Sequence, residues 1–187
     1  MNSEQVFQTA FLTTDNSDTD YFKGLCYTYG YNVERDVSKA KTQYAEGVAK
    51  GNAKCKYGLA VLLLKAKNLE EADLSLALFS EAFEELYKQA TSDDPISQRM
   101  VSCYYLFGDR GVDRDTEEAS KWLLKAAQNG DAEAQMNLAH CYETGTVFPQ
   151  DINLSIEWYI KAAAQGNEKA VKQLDKLRRS KNEQILI

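Results

Sequence analysis

The chain has 187 residues, 44% of them hydrophobic, and a net charge of −6 at neutral pH. That is one domain's worth of chain, with enough apolar content for a continuous core. The acidic balance argues against nucleic acid as a partner, because affinity for phosphate backbones rests on a basic surface.

The first twenty residues, MNSEQVFQTAFLTTDNSDTD, show neither a basic start nor a long apolar run. They predict no secretory signal and no membrane span, hence a cytoplasmic protein with no membrane partner. Residues 1–18 are expected to form a lead or a short capping helix. From residue 19 a cassette begins. Tyr27, Gly30, Asp36, Ala40 and Gly51 recur as Tyr105, Gly108, Asp115, Ala119 and Gly130. A second cassette opens at Gly51–Leu63, which overlays Gly130–Tyr142. It then lacks the loop Gly and the Asp, so a lengthened second helix is expected within residues 65–95. The third and fourth cassettes run from Ser97 and Ala134. They place Trp122 and Trp158, Asp115 and Asp151, and Gly130 and Gly166 each about 36 residues apart, a period that marks stacked helical repeats. Gly166–Leu177 opens the pattern once more. The boundaries are about 19–52, 53–95, 96–131 and 132–167 within a repeat domain at 19–177. A capping helix and tail follow at 168–187. The tail ends in Ile185, Leu186 and Ile187, which suggests weak self-association through this end.

The residue types fit that geometry. Small residues at Ala134, Ala139 and Ala163 let helices approach closely. Gly51, Gly130 and Gly166 sit where a helix should end in the left-handed region. Asn52, Asp131 and Asn167 follow at once and can cap the next helix. Asp115 with Glu118 reads as a capping box. Trp122 and Trp158 are expected to be wedged between helices. Pro95 and Pro149 are expected at loop positions, and no stretch alternates as a strand would.

This pattern resembles the Sel1-like repeat family, relatives of the tetratricopeptide repeats. The likeness is fullest in the last cassette, at Ala134, Leu138, Ala139, Tyr142, Gly145, Asp151, Trp158, Tyr159, Ala162, Ala163 and Gly166. It implies an all-α fold: a right-handed α-α superhelix of about four helix-turn-helix repeats plus a C-terminal capping helix. It also implies a non-catalytic scaffold or adaptor that binds a protein or peptide on its concave face, and a bacterial source. Some secreted relatives bridge the two helices of a repeat by a disulfide. Here Cys26, Cys55, Cys103 and Cys141 fall one to a cassette, so they read as reduced packing residues. The runner-up is an immunity protein that neutralises a toxin or effector, which an acidic chain suits through charge complementarity.

Catalytic signals are sparse. The glycines of GDRGVDRD lack the Lys and Ser/Thr of a phosphate loop, and the cysteine spacings are not those of a zinc site. His140 is the only histidine. A hydrolase would have to pair it with Cys103, on the equivalent helix of the preceding repeat. No cofactor or metal is expected.

The concave side offers more. Numbering each first helix from the small residue that opens the pattern, positions 2, 6 and 10 face away from the second helix. They are Tyr21, Tyr57, Arg99 and Met136; Leu25, Val61, Cys103 and His140; and Tyr29, Lys65, Phe107 and Thr144. A solvated face is mostly charged; this one is mostly aromatic and apolar. Tyr, Met and Arg are enriched at binding interfaces. Tyr57→Ala or Arg99→Glu is therefore expected to abolish binding while sparing helicity.

Overall fold

A computed structural model describes residues 17–64, 68–108 and 111–185, with side chains as far as residue 179. The described residues form nine helices and no strand. They are α1 (Thr19–Tyr29), α2 (Val37–Ala49), α3 (Ala53–Leu63), α4 (Leu69–Thr91), α5 (Pro95–Phe107), α6 (Thr116–Gln128), α7 (Ala132–Thr144), α8 (Ile152–Ala164) and α9 (Glu168–Ile185). Each helix packs on the next in sequence, and α1 also packs on α3. The chain is thus an all-α stack of helical pairs closed by α9. Of the lead expected at residues 1–18, residues 1–16 lie outside the described residues, as do the apolar tail side chains.

Three local devices repeat and fix the geometry of each pair. First, the main-chain N–H of Asp36, Asp115 and Asp151 donates to the carbonyl of Tyr27, Tyr105 and Tyr142, at 2.9 Å in each case. This bond closes the loop between the two helices of a pair. It also explains why the expected capping box at Asp115 does not form. The N–H that Glu118 would accept from is already committed to Tyr105, and the Glu118 carboxylate takes Lys121 instead. Asp115 still caps α6, accepting from the N–H of Glu117 and Glu118.

Second, the second helix of a pair ends in two backbone hydrogen bonds across a left-handed residue. At the end of α6, Gly130 N–H donates to Ala127 and Asp131 N–H to Ala126, with Gly130 at φ 94°. The second pair makes the same turn without glycine. There Asp93 takes φ 66°, and Asp93 and Asp94 donate to Ala90 and Gln89. Short polar side chains enter this region at lower cost than others.

Third, the residue after that turn caps the next helix. Asn52, Asp94, Asp131 and Asn167 accept from the N–H of Cys55, Ser97, Ala134 and Ala170. The long α4, 23 residues, is the lengthened helix expected of the divergent second repeat.

The core follows from the spacing of small and large residues. Ala60, Ala82, Ala126, Ala127, Ala139 and Ala162 have no exposed surface, so helices meet closely at these points. Tyr44, Phe79, Tyr104 and Tyr159 fill the wider gaps and are 2% exposed or less. Tyr44 occupies a slot between Gly24 and Gly58: a Cβ on either glycine would fall 2.3 or 2.6 Å from its ring. Two buried glutamines complete the joints. Gln98 and Gln135 donate to the carbonyls of Ala90 and Ala127 at 3.0 Å, satisfying acceptors at the ends of α4 and α6.

A concave cavity as candidate functional site

Burial falls along each first helix. At position 2, Tyr21 is 2% exposed and Tyr57 7%. Tyr21 packs on Phe22 and Tyr44, and Tyr57 on Phe79 and Tyr104, with ring centroids 5.4 to 6.1 Å apart. Tyr57→Ala would therefore open the core, which corrects the expectation that it spares the fold. At position 6, Leu25, Val61 and Cys103 are half-buried and His140 is exposed. At position 10, Tyr29, Phe107 and Thr144 are exposed, and Lys65 lies outside the described residues.

Six of the ten expected residues line one cavity of about 220 Å³: Tyr21, Leu25, Tyr29, Tyr57, Val61 and Arg99. The remaining four lie off it. Met136 packs against the C-terminal core cluster that holds Ala139 and Tyr159. Phe107 is 53% exposed. His140 Nδ1 faces Glu143 at 3.6 Å, with its side chain 57% exposed. Cys103 stays half-buried one turn from Arg99, and no hydrogen bond among the described residues joins it to His140. The geometry therefore lends no support to a Cys103–His140 hydrolase.

Sequence reasoning missed the opposite wall. It is built from the loop after α1 (Tyr31) and from the starts of α7 and α9 (Asp131, Glu133, Asn167). The cavity thus draws on every repeat. Nothing in the spacing of positions 2, 6 and 10 signals this, because the curvature that brings the first loop to the last helix is set by packing over the whole stack.

One ion pair sits on the cavity wall. Arg99 Nε donates to Asp131 Oδ1 at 2.8 Å, and the same carboxylate caps α7. Burial disfavours the guanidinium charge, yet the facing Asp131 and neighbouring groups more than offset this and hold its pKa well above the ordinary range. Burial pushes the Tyr21 phenol up, and Arg99 opposes that shift. At the rim, Tyr29 stacks on Tyr31 at 5.5 Å. Lys169 Nζ stands 5.4 Å from the Tyr29 ring centroid and 3.5 Å from Glu133 Oε2.

The Sel1 repeat family matches residues 21–42, 95–131 and 132–167, together more than half of the chain. The chain belongs to the Sel1 repeat family. The gap between the first two matches holds the divergent pair with the long α4. Among curated proteins, mouse DAP3-binding cell death enhancer 1 is 31% identical over 159 residues, covering 84% of this chain and 30% of that protein. Chitin synthase regulator SKT5 of Saccharomyces cerevisiae is 27% identical over 106 residues, covering 56% and 14%. Chitin synthase regulatory factor 3 of Schizosaccharomyces pombe is 34% identical over 108 residues, covering 57% and 11%. The chain thus spans less than a third of the length of these relatives. A crystal structure of a Sel1 repeat protein from Oxalobacter formigenes matches with a TM-score of 0.51 at 23% identity, over 92% of this chain and 67% of that one. That likeness shows the fold alone. The relatives come from a mammal, two yeasts and a bacterium, so family membership does not assign a bacterial source. No helix among the described residues is long and apolar enough to cross a membrane.

Proposed function

We propose that this Sel1 repeat protein is a non-catalytic scaffold or adaptor whose concave cavity receives a short stretch of a protein partner. One observation carries the proposal. An apolar and aromatic cavity of about 220 Å³ lies where the repeat pattern puts its non-packing face, and half-buried Leu25 and Val61 line it. Ligand pockets run from roughly 300 Å³ upward, so the space suits one or two side chains of an extended segment and is too small for a whole helix. The names of the mouse and yeast relatives, a binder of another protein and regulators of an enzyme, fit an adaptor role.

Random-peptide display tests this. Peptides enriched on the native protein are expected to lose binding to a Leu25→Asp, Val61→Asp variant that keeps its helical circular dichroism. Equal binding to both proteins, or no enrichment at all, contradicts the proposal.

A further inference from the structure

The rim of the cavity already holds a cation. Lys169 Nζ lies 5.4 Å from the Tyr29 ring centroid and 3.5 Å from the Glu133 carboxylate. Tyr29 stacks on Tyr31 at an interplanar angle of 28°. Both tyrosines and Glu133 line the cavity. Aromatic faces with a carboxylate beside them attract an ammonium or guanidinium through the ring quadrupole and by direct charge.

The resident cation is loosely held. The Lys169 side chain is 56% exposed and Tyr29 is 48% exposed, so another cation can take its place at little cost. The opposition of Arg99 to a second cation is reduced by its pairing with Asp131 at 2.8 Å. Burial raises the pKa of the Tyr31 phenol most, Glu133, Tyr29 and Glu168 add to the rise, and Arg99 opposes it. Inward of the rim, Leu25, Val61 and Ile96 make the cavity apolar. The net charge of −6 favours encounter with basic partners.

We propose that this rim recognises a basic side chain. A lysine or arginine of a peptide partner replaces Lys169 against Tyr29, Tyr31 and Glu133, while a neighbouring apolar residue of that peptide enters between Leu25 and Val61. This rests on the concave cavity being the docking site.

Pentapeptide pools with randomised apolar flanks and a fixed centre separate the two ideas. The centre is arginine, its neutral isostere citrulline, or glutamate, and binding is read by fluorescence anisotropy. The arginine pool is expected to bind at least fivefold tighter than the citrulline pool. Lys169→Gln, an exposed change that spares the fold, removes the internal competitor. It should tighten the arginine pool two- to fivefold, and Glu133→Gln should weaken it. Equal binding of arginine and citrulline, preference for glutamate, or no effect of Lys169→Gln overturns the basic-residue assignment. Equal binding that is still lost in Val61→Asp retains the docking site without this specificity. Absence of binding by all three pools removes both.

Discussion

Arg99 on α5 and Asp131, the residue that caps α7, meet at 2.8 Å on the cavity wall, with side chains only 16% and 8% exposed. The pair ties the third repeat to the fourth while its carboxylate caps α7. Removing one member of a buried pair strands the other charge, at a cost of about 3–5 kcal/mol. Arg99→Glu does this and adds a second carboxylate. It is therefore expected to lower the urea midpoint sharply and cannot serve as a binding-only variant. Arg99→Met with Asp131→Asn, which keeps a capping residue, should recover much of the loss. A double variant no more stable than Arg99→Glu would contradict this account of the pair.

The aromatic pair on α8 reverses the order of importance that the repeat pattern suggests. Trp158 is the conspicuous residue in sequence, yet it is half-buried, with Lys161 Nζ 3.8 Å above its ring. Tyr159 has no exposed surface and donates to Glu143 Oε2 at 2.7 Å. Tyr159→Ala is expected to cost about 3–5 kcal/mol, and Trp158→Ala less. Chemical denaturation of the two variants checks the order.

The fold was legible because its devices are local. Glycine ends, Asn and Asp caps and small residues at close approaches follow from what each residue type does to its own backbone. The end of α4 was not legible, since Asp93 does there what glycine does elsewhere. Nor were the buried glutamines Gln98 and Gln135, whose role depends on carbonyls of a neighbouring helix. At the site, one wall followed from helix periodicity through Leu25, Tyr29 and Val61. The other, with Tyr31, Glu133 and Asn167, comes from the curvature of the whole stack.

The slot that holds Tyr44 predicts a strong response to one methyl group. A Cβ on Gly58 would meet the ring at 2.6 Å, with Gly24 pressing from the other side. Gly58→Ala should destabilise by about 1–3 kcal/mol through overpacking, even though alanine favours helices. Combining it with Tyr44→Leu should restore part of the loss. A Gly58→Ala protein as stable as the native one would show that the ring can move aside.

The core thiols give a pH dependence. Burial pushes Cys26 up to about 11 and Cys55 up to about 12, against an ordinary 9.0. In the unfolded chain these thiols ionise near pH 9, while in the fold they stay protonated. Their contribution is thus fully present below pH 9 and falls as pH rises towards 11 to 12. At pH 10 the loss should be about 1 kcal/mol for each. At pH 8, iodoacetamide should spare Cys26 and Cys55 and reach the half-buried Cys103 and Cys141 first. Mass spectrometry of the labelled peptides, with urea midpoints at pH 8 and 10, checks both statements.

Site-specific photocrosslinking tests the central claim most directly. A benzophenone side chain is placed either at Val61, in the cavity, or at Leu76, which is 50% exposed on α4 outside it. Each protein is then irradiated with a display-selected peptide. Adducts are expected from position 61 and not from position 76. Adducts from position 76 with none from position 61 would place binding elsewhere and contradict the account.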